Sequence, residues 1–270
     1  MSHSYFSEDL SSKGVSWSNI RLRLNKTPRP VDRVSTGWDS LDRIFGGGIP
    51  KGFTIIYGDA GTGKSKLTQC ITAGLINQNL TGAYFIGDDL RDAPKAIPKD
   101  LNTLDFIAYK MSPERACKSI LMALTQLQPN FAVIDSLTTI FGATLKAVPE
   151  SEIREWVQSL AQHISGKIPV IGISEMRGSG FNYKPAGGTG VLFPSVTNIH
   201  LQKVRIKHKW DAHRYNGREG EYKWIIAVTK DRDGVAIQHK EFIIEYIGDE
   251  PLISDIQIWD KDDDTDEFQS

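Results

Sequence analysis

The stretch "FTIIYGDAGTGKSKLTQCITAGLI", Phe53 to Ile76, decides how the chain is read. It opens as a short apolar run of strand length and closes with apolar residues at helical spacing. Between them Gly58, Asp59, Ala60, Gly61, Thr62, Gly63, Lys64 and Ser65 fit G-x-x-x-x-G-K-[ST], with Lys66 directly after. Each residue type has a physical task in that strand-loop-helix context. Glycines let the backbone curl until its N–H groups and the helix N-terminus face phosphates; Lys64 supplies charge to the β and γ oxygens, and Ser65 offers a hydroxyl to Mg²⁺. The alternative is a Gly-rich turn before an ordinary helix. The full motif in this context points to ATP and Mg²⁺ as cofactors, seated on residues 58–66. Asp135 ends a second apolar run, "FAVID", and is the expected acidic residue that holds Mg²⁺ through water at the tip of a neighbouring strand.

Outward from this loop the pattern alternates. "GAYFIG" (82–87), "FAVID" (131–135) and "PVIGIS" (169–174) are strand-like. "PERACKSILMALTQL" places Ile120, Leu121, Leu124 and Leu127 on one helical stripe, and Ile153, Trp156, Leu160 and Ile164 form another. Buried strands alternating with helices predict an α/β fold with a mostly parallel central sheet covered on both faces. From about residue 198 the period changes to two in "NIHLQKVRIKHKW", "YKWIIAVTK" and "KEFIIEYIG", which predicts a C-terminal antiparallel extension. Residues 1–32 are Ser-rich, then basic and Pro-punctuated, and read as an arm; residues 33–250 form the expected compact domain; residues 251–270 end in the acidic tail "DKDDDTDEFQS".

Composition excludes several classes. Lys plus Arg number 32 against 33 Asp plus Glu, so net charge predicts no polyanion partner and any such claim rests on where the charges lie. The 2 cysteines, Cys70 and Cys117, have no CxxC spacing, which argues against a zinc ribbon and a disulfide framework. No signal peptide or membrane-spanning run is visible, and a cytoplasmic location is expected.

"VSTGWDSLDRIFGGGIPKG", ahead of the loop, resembles the lead-in of the RecA-like P-loop ATPases, and more narrowly of the bacterial RadA (Sms) and KaiC families. "YFIGDDLRD", "VIDSLTTIFGATLKAVPESEIREW", "GISEMR" and "VTKDRDG" fit the same comparison in order, over roughly residues 33 to 250. Two cysteines cannot supply RadA's four-cysteine zinc module, and the residues after 250 are too few for its protease-like C-terminal domain. KaiC has two tandem ATPase halves and an autokinase Ser-Thr pair; this chain has one half and no evident counterpart of the pair. The resemblance therefore implies a bare motor core.

It also implies roles. Asp88 matches the first of an acidic pair that aligns the attacking water, with Asp89 second, although the families carry Glu there. These two carboxylates can equally cap the segment that follows. Glu175 matches the polar residue linking the γ-phosphate to a DNA-binding loop. Lys230 and Arg232 match a K-x-R pair that reaches into the neighbouring subunit's site, the alternative being a charged hairpin turn at Asp233-Gly234. The stretch "MRGSGFNYKPAGGTGVLF" matches the glycine-rich channel loop: Phe181 and Tyr183 would stack on bases, and Arg177 and Lys184 would meet phosphates. Lys203, Arg205, Lys207 and Lys209 would share one face of a strand, either as a phosphate track or as a protected sheet edge. The implied activity is a DNA-stimulated ATPase in recombination, repair or replication, assembled as a hexameric ring or filament on single-stranded DNA. A KaiC-like regulator that binds proteins, or a replicative helicase core, is the alternative.

Overall fold

The structure is a computed structural model and describes residues 31–86, 102–105, 112–142, 149–177, 184–186 and 188–257. Its centre is one mixed sheet in the order β12-β11-β10-β9-β3-β7-β6-β4-β5. The inner members are β3 (Phe53–Gly58), β4 (Gly82–Ile86), β5 (Asn102–Asp105), β6 (Phe131–Asp135), β7 (Val170–Arg177) and β9 (Thr197–Arg205), each parallel to its neighbour. The antiparallel extension is β10 (Tyr222–Asp231), β11 (Glu241–Ile247) and β12 (Glu250–Asp255), so the sheet continues five residues past position 250. A short β1 (Arg33–Val34) pairs with β2 (Ile49–Pro50), and β8 (Lys184–Pro185) pairs with the end of β7.

Parallel strands need crossover connections that cover both faces, and the apolar residues divide accordingly. Every residue of β3 is buried. Ile56 faces α1 (Asp39–Phe45) and α2 (Lys64–Asn77) through Leu41, Ile44, Leu67, Ile71 and Leu75. Phe53, Ile55 and Tyr57 face α3 (Pro113–Leu127) and α5 (Glu150–Ile164) on the other side. The helical stripes fall slightly off the expected ones. α3 buries Ala116, Cys117, Ile120 and Leu124 while Leu127 is exposed, and α5 buries Val157 ahead of Trp156. Fully burying one such side chain is worth about 1.5–3 kcal/mol, so a stripe of four fixes a helix's rotation.

The lead-in residues are clamped to α2. Trp38 donates its indole N–H to the Cys70 carbonyl at 2.8 Å, and a Cβ on Gly74 would lie 1.9 Å from the Thr36 carbonyl oxygen. Thr36 and Ser35 in turn hydrogen-bond Asp42. Only glycine at position 74 lets the two backbones touch.

One expectation needs correcting. The strand expected to run through Lys209 stops at Arg205; Lys207 donates its amide to Asp211 at 3.0 Å, and Lys209 opens α7 (Lys209–Arg214). Lys203 and Arg205 alone share the strand face.

Candidate functional site

The glycine loop lies where sequence places it, between β3 and α2. Gly58 is fixed by crowding, since a Cβ there would meet the Leu201 carbonyl oxygen at 2.1 Å. Gly63, the residue before α2, has φ of 90°, a region that L side chains rarely adopt. Asp59, Ala60 and Gly61 are exposed, so the curl opens to solvent, whereas Lys64 is only 6% exposed. Its ammonium donates to the carbonyls of Gly58 at 3.0 Å and Asp59 at 2.6 Å. Burial lowers its pKa, opposed by the charges of Glu175, Asp59 and Asp135.

Those carboxylates come from neighbouring strand tips. Glu175 is the register partner of Gly58 on β7 and donates its backbone amide to the Thr138 hydroxyl of α4 (Leu137–Gly142) at 2.7 Å. Asp135 ends β6 beside Ile86 of β4 and accepts from the Tyr84 hydroxyl at 2.9 Å. Burial, with that carboxylate second, pushes the Tyr84 phenol pKa up, so the proton stays on Tyr84. The ends of β7 and β6 thus bring two carboxylates within electrostatic reach of Lys64 at the start of α2, where Ser65 follows it and is exposed. Ser65 and Asp135 supply the hard oxygen donors that Mg²⁺ prefers, so the donor set fits that ion. Among the described residues no cluster of three His, Cys, Asp or Glu could hold a metal alone. Asp88 and Asp89 lie outside the described residues, two and three positions past the end of β4.

Beside the loop is a cavity of about 630 Å³, lined by Gly61, Gly63, Lys66, Trp224, Tyr246 and Leu252 among others. Sequence reasoning missed it, although the period-two aromatics of "YKWIIAVTK" and "KEFIIEYIG" were its only signal. Lys66 donates to Asp249 at 2.6 Å and lies 5.7 Å from the Tyr246 ring. Lys203 sits over the Tyr222 ring at 4.5 Å and the Trp224 ring at 5.3 Å. It is two residues past Leu201, the partner of Gly58, on the sheet face that carries α2. Lys203 therefore stands on the face that carries α2, with Arg205 two residues further along the strand, whereas Lys207 is exposed beyond it.

The remaining candidates are separated from this point. Arg177 and Lys184 are register partners across β7 and β8; Phe181 and Tyr183 lie outside the described residues. Lys230 and Arg232 stand at the far end of β10, where Lys230 pairs with Asn198, three residues before Leu201 on β9. Asp231 between them points the opposite way, into a 2.7 Å ion pair with Arg33. Lys230 and Arg232 both lie near the exposed ring of Phe193, each at 6.0 Å, with Arg154 at 5.0 Å. Among the described residues no helix is long and apolar enough to cross a membrane.

No family model matches the chain. It is similar to DNA repair protein RadA of Chlamydia pneumoniae, 32% identical over 155 residues, which cover 56% of this chain and 33% of that protein. The RadA of Haemophilus influenzae is 30% identical over 151 residues, covering 53% and 30%, and that of Streptococcus pneumoniae 30% over 135 residues, covering 49% and 32%. The chain spans about a third of the length of these relatives. Together the similarities support a RecA-like, RadA-type relationship.

Proposed function

We propose that this RecA-like, RadA-type chain binds and hydrolyses ATP and couples the reaction to DNA in repair or recombination. The observation that carries the reading is the meeting of Lys64, Asp135 and Glu175 at the tips of β3, β6 and β7 around an exposed glycine curl. Amides of the curl and the N-terminus of α2 receive the phosphates, and Lys64 exchanges its carbonyl partners for phosphate oxygens. Ser65 and Asp135 would hold Mg²⁺, which when bound neutralises charge on the β and γ oxygens. Asp88, with Asp89 as the second candidate, aligns the water. Being one methylene shorter than Glu, it must be brought closer by its strand. Glu175, next to Lys64, senses the γ-phosphate and leads directly into residues 176–193.

That segment is the proposed contact with single-stranded DNA, through stacking on Phe181 and Tyr183 and phosphate pairing by Arg177 and Lys184. The DNA repair proteins to which the chain is similar favour DNA over a protein partner for this loop. Lys203 and Arg205, on the sheet face that carries α2, extend the cationic surface that would meet phosphates of nucleic acid. The domain, residues 33–250 with β12 added, would work as a self-assembled ring or filament in which Arg232 reaches a second copy.

The test measures ATP turnover with and without single-stranded DNA. Wild type is expected to turn over ATP faster with DNA, Lys64→Ala to be inactive with native circular dichroism, and Phe181→Ala/Tyr183→Ala to lose the stimulation while keeping basal turnover. Equal turnover by wild type and Lys64→Ala would remove the ATPase reading. Turnover indifferent to DNA at low salt would transfer the case to a regulator of KaiC type.

A further inference from the structure

Lys230 was expected to act as one of two cations reaching a neighbouring subunit. An ammonium has three N–H donors. Lys230 directs them at carbonyls of its own chain: Leu192 at 2.7 Å, Ser195 at 2.8 Å and Phe193 at 2.9 Å, with the Ser195 hydroxyl at 3.4 Å. These acceptors end α6 (Gly188–Leu192) and form the turn into β9. The last carbonyls of a helix have no partner within it, and a cation placed there satisfies both their lone pairs and the helix dipole.

Arg232 differs. It is exposed and gives one N–H to the Phe193 carbonyl, which leaves the rest of its guanidinium fork facing solvent. The backbone from which the two cations emerge is fixed from the other face. Asp231 there accepts from Arg33, from the Thr197 hydroxyl at 2.7 Å and from the amides of Val235 and Ala236 at 3.0 Å. Two residues before Asp231, the Thr229 hydroxyl meets the phenol of Tyr57 at 3.0 Å, and Tyr57 immediately precedes the glycine loop.

We infer that Lys230 is a positioning residue that ties the exit of the glycine-rich segment, residues 188–195, to the end of β10, and that Arg232 is the cation of the pair left to reach a second copy. Lys230 thereby joins three parts: the segment proposed to meet DNA, the arginine proposed to act in trans, and, through Thr229 and Tyr57, the strand that carries the glycine loop. The first half of the inference is independent of the function proposed above; the role of Arg232 rests on it.

Hydrogen exchange of the full chain without nucleotide separates the roles. Lys230→Met should speed exchange of amides in residues 188–197 about tenfold, because three carbonyls lose their donor and the turn opens more readily. Amides of β3 and β7 should keep wild-type protection, and Arg232→Ala should leave residues 188–197 unchanged. If Lys230→Met lowers protection in every strand, Lys230→Gln, whose amide retains two N–H donors, is read in its place. Wild-type exchange in 188–197 for the readable variant would overturn the inference and return Lys230 to the finger role. ATP turnover plays no part in this readout, so its result stands whether or not the chain proves to be an ATPase. For Arg232, the Arg232→Ala variant, whose seat is intact, is mixed with a seat-dead donor. Lys64→Ala/Lys230→Gln, which keeps Arg232, should restore some turnover, whereas Lys64→Ala/Arg232→Ala, which keeps only Lys230, should restore none. Restoration by Lys64→Ala/Arg232→Ala would overturn the assignment to Arg232.

Discussion

Trp224 Cδ1 lies 3.8 Å from where a Cβ would stand on Gly63, the residue before α2. A base attached to phosphates on that helix has the Trp224 ring within reach, with Tyr246 and Leu252 lining the same cavity. Nucleotide binding should therefore quench tryptophan fluorescence. Trp224→Ala should weaken nucleotide binding about tenfold, since stacking of a base on an aromatic ring is worth about 1–3 kcal/mol. Trp224→Phe should retain most of the affinity and lose the quench. Unaltered affinity in Trp224→Ala would place the base elsewhere.

Gly58 tests the loop without touching a charged group. A Cβ there would press on the Leu201 carbonyl at 2.1 Å and the Thr62 hydroxyl at 2.9 Å, and the first of these is backbone that cannot turn aside. Gly58→Ala should cost about 1–3 kcal/mol of stability, the usual range for overpacking. The urea midpoint checks it. Gly61→Ala meets nothing within 4 Å, so its cost comes only from the backbone at φ of 74° and should be smaller.

The ion pair of Arg33 with Asp231 gives a pH dependence with a definite sign. Burial pushes the Asp231 pKa up, but the Ala236 amide, the Thr197 hydroxyl and Arg33 outweigh it, and the net shift is downward. A carboxylate whose pKa is depressed on folding contributes stability above its unfolded value, near 3.8, and loses it as pH falls through the folded value. The Asp231 side chain is 0% exposed and that of Arg33 7%, so Asp231→Asn leaves a buried guanidinium only its longer 3.4 Å contact with Asp233 and should destabilise at pH 7 by less than the about 3–5 kcal/mol of a fully orphaned buried charge. Below about pH 4 the wild type should converge toward the variant, because protonation of Asp231 removes the same interaction. Denaturation midpoints across pH 3 to 7 decide this: parallel curves would show that Asp231 does not titrate in that way.

How much of this was legible in sequence follows from distance along the chain. The glycine loop, the parallel strands and the antiparallel extension are written in local period and in one contiguous motif. The surroundings of Lys203 were not legible, because alternation along one strand shows which residues share a face but not what packs against it. In the fold that face carries α2, Trp224 and Tyr222. The partnership of Arg33 with Asp231 joins residues 198 apart, and no local pattern marks either as buried. The same holds for Phe193, whose neighbours Arg154, Lys230 and Arg232 come from two other elements. Helix stripes slipped by one position, Val157 for Trp156, because a large ring can lie at the edge of a core while a small residue enters it.

Arg232 supports a prediction about assembly. It lies beyond Lys230 at the end of β10 remote from the glycine loop, and it rests against Phe193 on the sheet face away from α2. The sheet itself separates it from Lys64. Phosphoryl transfer spreads charge over three equatorial oxygens, and a cation supplied from outside adds about 10³ to 10⁵ in rate. If Arg232 supplies that cation to a second copy, turnover should rise more steeply than linearly with protein concentration as subunits assemble. Arg232→Ala alone should be nearly inactive yet bind nucleotide normally. Mixed with Lys64→Ala, which is inactive in its own site but presents an intact arginine, it should regain part of the wild-type turnover at mixed interfaces. Light scattering establishes that the two variants co-assemble. Inactivity at every ratio in co-assembled mixtures would mean that Arg232 contributes nothing across the interface, and the second cation would have to be sought elsewhere on the chain.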